Sequence, residues 1–585
     1  MEWIVSLCLV LFLSLNCVCT TSTSSSSSSS SSHEENDLYR TVETHDGAVR
    51  GLRKYTLFQN VRYYAFLGIP YAEKPVNHLR FKAPIPIAAW KPKVLDTFHY
   101  ANSCIQQSFA LGNSGPESED CLYLNIFVPA HIKSQKKLPV IFYIHGGGFA
   151  EGSGNDFFFG PDFLLEKGLI VVTTNYRLGT FGFMSLNTKH HSGNMGLKDQ
   201  YTALKWTHHN IGAFGGHKQR ITICGQSAGA VSTHYHVLFH QSRKLIRGAI
   251  CLSGSAFLRY AYLDEKSHVK KMYDFARKSN ASIQHMDQLV DFLERVPSQQ
   301  IVDSLSQQSY GRTLIFDWAP VIENKSAIEP ILTKTPQEMY DSNRQLNVNT
   351  MFGYTNNECL GLVWNDVSNS TRLNEFLKEC NLVLPVHKLK PDFKSRSYRR
   401  LTNRVCSHYM HNVTTDHDKA VQFVNMISDL NMVTPIDRAV KTQARHSKRP
   451  TFYYQFSIAG KLNYIKHILK TKWPGAIHCD DLCFIFRCHS IDSVYRNIME
   501  TLNHDEISKI SYDTVQHMTQ MIANFVKHGR PTVDGRPTRG YHPVCGRHVN
   551  FLDITNTAMI PGVSPKKEAI RFWNRILQKA EALVH

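Results

Sequence analysis

The residues with the clearest chemical potential lie in a short turn, Gly225-Gln226-Ser227-Ala228-Gly229, which follows an apolar run at residues 221–224. An apolar run that ends in this glycine-x-serine-x-glycine pattern predicts a strand turning sharply into a helix, with the serine at the turn. Side chains at the two flanking positions would collide in so tight a turn, and glycine avoids the collision. Ser227 would project its hydroxyl beside the first N–H groups of the helix, which favour negative charge. The pattern therefore predicts a nucleophilic serine.

A serine hydroxyl is a weak nucleophile at neutral pH, so it needs a base and donors for the oxyanion that it would create. Gly147 and Gly148 lie in a run of three glycines that follows a candidate buried strand at residues 138–145. Glycines in that position can present bare backbone N–H groups, and the residue after the nucleophile, Ala228, offers a third. We predict that Gly147, Gly148 and Ala228 supply the oxyanion donors.

The predicted base is His478, which lies on a glycine-bearing loop late in the chain. Its place agrees with the chain order of serine hydrolases built on a parallel sheet, in which the serine comes first, the acid second and the histidine last. The acid that would orient the imidazole is left open by the residue pattern. Glu358 lies just beyond a candidate strand at residues 350–354, whereas Asp481 is close to His478 in sequence.

A histidine cluster on the segment after the turn, His234, His236 and His240, includes one pair with the i, i+4 spacing of a helical metal site. The segment is also expected to pack against the sheet, where buried histidines with hydrogen-bond partners are common. We therefore predict core packing for these histidines, and neither a metal nor a cofactor.

Apolar runs at residues 138–145, 169–175, 221–224 and 245–252 are typical of buried strands, and the segments between them include one with helical spacing, residues 199–206. Strands that alternate with helices predict a mostly parallel sheet covered on both faces. Residues 46–94 have the short runs and Gly/Pro breaks of antiparallel strands, and residues 565–584 predict an amphipathic helix. We predict an α/β fold with a central mixed sheet flanked by helices, in a single domain over residues 37–585.

The N-terminal segment predicts export from the cell. Residues 1–19 form a leucine-rich apolar run of signal-peptide length, and residues 20–36 form a serine-rich leader that cannot bury apolar surface. Because the start of the run carries Glu2 and no lysine or arginine, an uncleaved anchor is the alternative. Without a later apolar run of spanning length, the mature chain is predicted to be secreted and to have no membrane span.

The net charge of +18 raises the question of a polyanionic partner. Lysine and arginine are scattered along the sequence, and no basic helix with interleaved aromatic residues stands out, so we do not predict nucleic-acid binding. The charge instead predicts a cationic surface.

Fourteen cysteines are too few for a disulfide-dense scaffold in 585 residues, and three lie in the signal segment. We predict one disulfide, Cys104–Cys121, and expect most of the other cysteines to remain buried thiols. Four sequons predict glycosylation at Asn280, Asn324, Asn369 and Asn412.

These motifs together resemble the type-B carboxylesterase and cholinesterase family, and within it the insect carboxylesterases, including the juvenile hormone esterase group. The resemblance runs from about residue 46 to residue 573. The matching stretches are residues 80–81, 119–125, 145–149, 175–179, 199–200, 214–216, 225–229, 253–255, 353–358 and 475–478.

The resemblance implies an α/β-hydrolase fold and selects Glu358 over Asp481 as the acid that accompanies Ser227 and His478. It also implies the oxyanion donors and the Cys104–Cys121 disulfide already predicted from the residues, and it implies no cofactor.

Departures from the family pattern narrow the expected substrate. The loop between Cys104 and Cys121 lacks the tryptophan with which cholinesterases hold choline, and Gln226 replaces their glutamate before the serine, as in juvenile hormone esterases. Cys359 and Cys479 replace small residues beside the acid and the base, and the family's later disulfides have no evident counterparts.

The expected function is hydrolysis of hydrophobic carboxylic esters through an acyl-enzyme, with a xenobiotic, dietary or juvenile hormone-type ester as substrate. The alternative is a relative that binds without turnover, as a scavenger or in adhesion. The oligomeric state stays open.

Overall fold

The computed structural model describes residues 38–107, 115–131, 137–263, 265–305, 316–342, 346–380, 382, 384, 395–532, 541–546 and 548–582. The predicted signal segment (1–19) and serine-rich leader (20–36) lie outside the described residues.

A single large sheet of thirteen strands runs through the described part of the chain, with a separate two-stranded ladder beside it. The strands are β1 (Tyr39–Glu43), β2 (Ala48–Tyr55), β3 (Arg62–Pro70), β4 (Val94–Asp96), β5 (Ser103–Cys104), β6 (Glu117–Ser118), β7 (Tyr123–Pro129), β8 (Leu138–Ile144), β9 (Ile170–Thr174), β10 (Gly216–Gln226), β11 (Gly248–Leu252), β12 (Asn349–Thr355), β13 (Thr451–Phe456), β14 (Asn550–Ile554) and β15 (Met559–Val563).

The large sheet has the order β1-β2-β3-β7-β9-β8-β10-β11-β12-β13-β14-β15, and β4 pairs with β2 outside this path. Seven neighbouring strands, from β9 to β14 in that order, are parallel. The predicted mostly parallel mixed sheet is confirmed. Within residues 46–94, β2 and β3 are antiparallel as predicted, but β4 lies parallel to β2, because the intervening chain folds back over the sheet before β4 begins.

Helices cover both faces of the sheet. They are α1 (Asp156–Phe159), α2 (Asp162–Leu165), α3 (Gly179–Phe183), α4 (Met195–Asn210), α5 (Ala228–Leu238), α6 (His240–Arg243), α7 (Lys266–Lys278), α8 (Met286–Arg295), α9 (Ser298–Ser304), α10 (Pro336–Ser342), α11 (Trp364–Val367), α12 (Ser370–Glu379), α13 (Arg396–Tyr409), α14 (Asp416–Ser428), α15 (Thr434–His446), α16 (Tyr464–Leu469), α17 (Leu482–Ile485), α18 (Asp492–Thr501), α19 (Glu506–His528) and α20 (Lys567–Ala582).

The central strands are apolar on both sides because each face meets its own helix layer. In β8, Phe142 joins the hydrophobic cluster that includes α5, whereas its neighbour Tyr143 joins the cluster that includes α19. Successive side chains of a strand point to opposite faces, so a strand covered on both sides is apolar throughout. This burial explains the continuous apolar run at residues 138–145.

The predicted C-terminal helix is present as α20 and packs on the body of the protein. Trp573 is buried, and its indole Nε1–H donates a hydrogen bond to the Tyr409 hydroxyl over 2.8 Å. Among the described residues, no helix is long and apolar enough to cross a membrane.

The structure contains the Cys104–Cys121 disulfide and two more, Cys380–Cys406 and Cys483–Cys488. The sequence analysis missed the second and third pairs. Cys483 and Cys488 are only 5 residues apart, in and just after the short helix α17, so the third pair is local. The second pair depends on how two helices pack. Cys380 follows α12 and Cys406 lies within α13, and only the packing of the two helices brings the sulfurs together. Cys224, Cys251, Cys359, Cys479 and Cys545 are free thiols.

The histidines after the turn behave as core residues. His234 contacts the Tyr340 hydroxyl through Nε2, and His236 contacts Ser242 and Gln200. Burial lowers the pKa of both histidines to about 3, so both are neutral at physiological pH. The described part of the chain contains no group of side chains arranged to hold a metal ion.

A buried ion pair anchors the segment after β9. Arg177 donates hydrogen bonds of 2.8 and 2.7 Å to Asp199, and both side chains are almost fully buried. Removing one partner of such a pair leaves an uncompensated charge in the interior.

We expect Arg177→Leu to lower the free energy of unfolding by about 3–5 kcal/mol, because Asp199 would lose its counter-ion. Urea denaturation followed by tryptophan fluorescence measures this loss. The matched control is Arg50→Leu, which breaks the similarly bidentate but half-exposed pair with Asp96 and should leave the midpoint almost unchanged. Equal shifts for the two variants would contradict the prediction.

Candidate active site

The predicted turn at Ser227 is present. Strand β10 ends at Gln226, helix α5 begins at Ala228, and Ser227 between them has φ 55° and ψ −121°. Few residues other than glycine adopt a positive φ, and such a conformation persists only where surrounding structure imposes it. The serine is therefore held at a strained strand-to-helix turn, as the sequence pattern predicts.

The two glycines of the motif are sterically required. A Cβ atom on Gly225 would lie 2.2 Å from the Gly229 carbonyl oxygen, and a Cβ on Gly229 would lie 2.1 Å from the Ile144 carbonyl oxygen. Both distances are far below contact, and both clashes are with backbone. Helix α5 can begin against β8 and β10 only because neither position has a side chain.

The glycine loop after β8 lies directly beside the turn. A Cβ on Gly146 would lie 3.1 Å from the Ser227 Cβ, and Gly147 and Gly148 have φ values of 94° and 59°. The Gly147 carbonyl accepts hydrogen bonds from the N–H groups of Ala150 and Glu151 over 2.9 and 3.0 Å. These bonds hold the loop in a fixed turn next to the serine.

His145, at the start of this loop, has a structural role. Its ring is buried, stacks on the Tyr176 ring, and lies over Gly152, where a Cβ would be 2.4 Å from Nδ1. Tyr176 also donates a hydrogen bond of 2.9 Å to the His145 carbonyl. Burial lowers the pKa of His145 to about 4, so the ring that packs beside the glycine loop is neutral.

The start of helix α5 supplies the third predicted donor. Its hydrogen bonds begin with the N–H groups of Ala230 and Val231, which donate to the Ser227 carbonyl over 2.9 and 3.0 Å. The N–H of Ala228 precedes this ladder, and the first N–H groups of a helix have no partner within it. Ala228 therefore has a helix-end N–H at the turn, and its role as an oxyanion donor with Gly147 and Gly148 stays a prediction.

The predicted acid and base are in direct contact. His478 Nδ1 lies 2.5 Å from Glu358 Oε2, and Glu358 Oε1 accepts the Thr355 N–H over 2.8 Å. Glu358 is buried, whereas the His478 side chain is 26% exposed. The carboxylate is therefore fixed at the end of β12 and holds the Nδ1–H tautomer of an imidazole that remains accessible.

Two backbone contacts bring the separate loops of acid and base together. The Asn357 N–H donates to the Ala476 carbonyl over 3.0 Å, and the Ala476 N–H donates to the Asn356 side chain over 2.8 Å. Residues on either side of Glu358 and His478 thus form a short parallel bridge. The pairing explains why a histidine 120 positions later reaches Glu358.

Asp481, the alternative acid, does not contact His478 Nδ1, whose partner is Glu358. It is fully buried, and burial raises its pKa to about 7. A carboxyl group that is only partly ionised near pH 7 is less suited to stabilise a cationic imidazole than an ionised one.

The other imidazole nitrogen faces Gln226 rather than the serine. Gln226 Nε2 lies 3.2 Å from His478 Nε2 and 3.1 Å from Cys479 Sγ. The Ser227 hydroxyl lies 3.5 Å from the Tyr260 hydroxyl, and no hydrogen bond joins Ser227 to His478 in the described part of the chain. The structure thus brings the three predicted residues to one place but shows the serine and the base with other partners.

Tyr260 and the Cys479 contact were not foreseen from the sequence. Tyr260 lies in no recognisable motif and enters the site because Phe149 and Phe316 pack its ring against the turn. Cys479 did carry a signal, since it directly follows the predicted base, but its distance to Gln226 depends on the fold. Cys479 also has a φ of 76°, a conformation that favours glycine.

The net pKa shift of His478 is upward. Burial lowers the pKa, but the Cys479 side chain and the Glu358 carboxylate raise it, each through charge and hydrogen bonding. The imidazole therefore holds a proton at higher pH than an isolated histidine would.

A small apolar recess of about 20 Å³ lies beside the glycine loop, which reaches it through Ala150. Other parts of its lining come from Leu178, Phe181 and Trp318. Phe149, which directly follows the glycine loop, is fully buried in the core.

All four predicted glycosylation sites, Asn280, Asn324, Asn369 and Asn412, are exposed. Asn369 also caps helix α12 through its side-chain oxygen, which accepts the Arg372 N–H over 3.1 Å. A glycan attached to the nitrogen would leave this capping bond intact, and glycosylation stays a prediction at all four sites.

Comparisons with known proteins agree with this geometry. The sequence pattern of the carboxylesterase family matches residues 39–573. Venom carboxylesterase-6 of Apis mellifera is 29% identical over 88% of this chain and 91% of its own length, and a juvenile hormone esterase of Tribolium castaneum is 32% identical over 76% and 78%. The crystal structure of juvenile hormone esterase from Manduca sexta, with OTFP covalently attached, superposes with a TM-score of 0.77 at 25% identity. The match covers 93% of this chain and 99% of that one. The chain therefore belongs to the carboxylesterase family, has its α/β-hydrolase fold, and is a carboxylic-ester hydrolase.

Proposed function

We propose that the chain hydrolyses hydrophobic carboxylic esters through an acyl-enzyme on Ser227, with His478 as the base and Glu358 as the acid that orients it. The contact between His478 Nδ1 and Glu358 Oε2 carries this proposal. It leaves Nε2 as the proton acceptor, on an imidazole that lies next to the strained turn.

In the proposed reaction, His478 Nε2 takes the proton from the Ser227 hydroxyl while Oγ attacks the ester carbonyl carbon. The N–H groups of Gly147, Gly148 and Ala228 hold the oxyanion that forms. When the carbon–oxygen bond to the alcohol breaks, His478 returns the proton to the leaving oxygen. Water then repeats the sequence on the acyl group and releases the acid.

Before the first step, the serine hydroxyl must replace the Gln226 amide at His478 Nε2. The amide N–H donates to the unprotonated nitrogen, so the same contact that blocks this nitrogen also favours the neutral imidazole that a base requires. We propose that substrate entry displaces Gln226 and turns the Ser227 hydroxyl from Tyr260 toward His478.

Several observations support a hydrophobic ester as the substrate. The recess beside the glycine loop is mostly apolar, and the Cys104–Cys121 loop has no tryptophan for a choline cation. The relatives include juvenile hormone esterases and a venom carboxylesterase. We also propose that the chain is secreted, on the evidence of its N-terminal apolar segment and its sequons.

Kinetics with p-nitrophenyl acetate test the proposal. We expect repeated turnover by the wild type and a fall of at least about ten-thousand-fold in kcat for Ser227→Ala, because the nucleophile is lost. A burst without turnover would instead identify a scavenger. Turnover by Ser227→Ala at the wild-type rate would contradict the assignment of the nucleophile.

The turn itself is tested by Gly225→Ala. The added methyl would overlap the Gly229 carbonyl and displace both Ser227 and the Ala228 N–H, so we expect kcat/KM to fall by at least about a hundredfold. Gly361→Ala is the control, because a Cβ there meets its nearest neighbour, Ile477, at 3.7 Å, which is ordinary contact. Comparable activity of the two variants would contradict the steric argument.

The pH profile of kcat/KM tests the base. Since His478 must be neutral and its pKa is raised, activity should fall as pH decreases from a value above about 6.5, the ordinary histidine pKa. Cys479→Ala removes a group that raises this pKa, so the acid limb should move to lower pH. Cys545→Ala removes an exposed thiol instead and should leave the limb in place. An unshifted limb in Cys479→Ala would refute the influence of the thiol on His478.

A further inference from the structure

A strip of arginines lies on helix α13 and the adjoining C-terminal helix α20. It consists of Arg396, Arg399, Arg400 and Arg404 on α13 and Arg575 on α20, and all five are exposed. We propose that this arginine strip binds a linear sulfated polysaccharide. The proposal does not rest on the esterase site, to which the strip contributes no residue.

The strip occupies the solvent-facing side of an amphipathic helix. Tyr398, Leu401, Val405 and Tyr409 of α13 are buried, at the spacing of one helix face. Residues 396, 400 and 404 follow one another at i, i+4 spacing on the opposite face, so their side chains form a line. At about 1.5 Å per residue, the line is about 12 Å long.

Within the described part of the chain, no ion pair neutralises the positive charge of the strip. Helix α13 contains no aspartate or glutamate, and none of the five arginines takes part in an ion pair among the described residues. On α20, the nearby Glu568 is paired with Arg571 instead. An external anion is thus the available counter-charge.

Helix α13 contacts helix α20 near the end of the arginine strip. His408 of α13 stacks on Phe572 of α20, with ring centroids 3.8 Å apart. Burial lowers the pKa of His408, and the charges of Arg575 and Arg404 lower it further. Arg575 therefore lies near Arg404 and extends the line of α13 onto α20.

The composition of the strip favours a sulfated chain over other polyanions. The other exposed α13 residues are Ser397, Asn403, Ser407 and His408. The one aromatic ring among them, that of His408, is already stacked on Phe572, and none offers an apolar group for insertion into lipid. Guanidinium groups bind tetrahedral oxyanions through paired hydrogen bonds. A row of arginines without stacking or apolar residues suits a flexible chain that carries a sulfate at each repeat.

The search of the sequence for a basic helix with interleaved aromatic residues did not single out α13. The cations of residues 396–404 look scattered in the sequence because Tyr398 and Leu401 interrupt them. Helical geometry moves these residues to the buried side and brings the arginines together.

Binding of the full chain to heparin, measured by surface plasmon resonance at several salt concentrations, tests the proposal. The test variant is Arg396→Glu, Arg400→Glu and Arg404→Glu combined. The control combines Lys218→Glu, Lys334→Glu and Lys448→Glu, which makes the same charge change at exposed lysines elsewhere. We expect the test variant to bind at least about tenfold more weakly and the slope of log affinity against log salt to fall by about 3, whereas the control changes little.

Retained hydrolysis of p-nitrophenyl acetate will show that the variants fold. If the triple variant does not fold, the double variant Arg396→Gln with Arg400→Gln replaces it, and we expect this variant also to bind heparin more weakly and with a smaller salt slope. Equal losses in test and control would mean that only net charge matters and would overturn the proposal. Desulfated heparin should not bind. Tighter binding of single-stranded DNA or of phosphatidylserine vesicles than of heparin, lost in the test variant, would overturn the choice of a sulfated glycan.

Discussion

The site depends on the close approach of three pieces of backbone around Ser227. Gly225 contacts the first turn of helix α5, and Gly229 contacts the end of β8, at distances that exclude any side chain. This packing imposes the positive φ of Ser227 and holds the turn beside the glycine loop, where a Cβ on Gly146 would lie 3.1 Å from the Ser227 Cβ. The strain at the serine is thus maintained by the sheet and helix together, and neither a more flexible turn nor a larger residue would keep the hydroxyl in position.

The parallel sheet explains why residues far apart in the chain meet at this point. Strands β8, β10 and β12 are parallel, and each is followed at its carboxyl end by a part of the site: the glycine loop, the serine turn and Glu358. Ligand sites of open α/β sheets form at this edge for the same reason. His478 is the exception, because it arrives on a loop long after β13, and the bridge between Asn357 and Ile477 fixes it there.

Most of the fold could be predicted from the sequence, because strong local rules govern it. The same rules predicted the turn at Ser227, whereas Glu358 could be chosen over Asp481 only through the resemblance to the family. The continuous apolar run of β8 indicates burial on both faces of the sheet. The glycines around Ser227 indicate a turn too tight for side chains at those positions. What could not be predicted depends on contacts between distant segments. The Cys380–Cys406 disulfide, the approach of Tyr260 to Ser227, and the line of arginines on α13 all arise only when helices pack, and no local pattern marks them.

In the structure, the serine and the base each contact a partner other than the one that the proposed reaction requires. Gln226 contacts His478 Nε2 and Tyr260 contacts the Ser227 hydroxyl, so the hydroxyl is not yet activated by the base. Peptide mapping after reaction with a small organophosphate tests the central claim that Ser227 nevertheless becomes the nucleophile. The account predicts a single adduct on Ser227, formed much more slowly in His478→Ala. An adduct on Tyr260 or Cys479 in the wild type, with Ser227 unmodified, would contradict it.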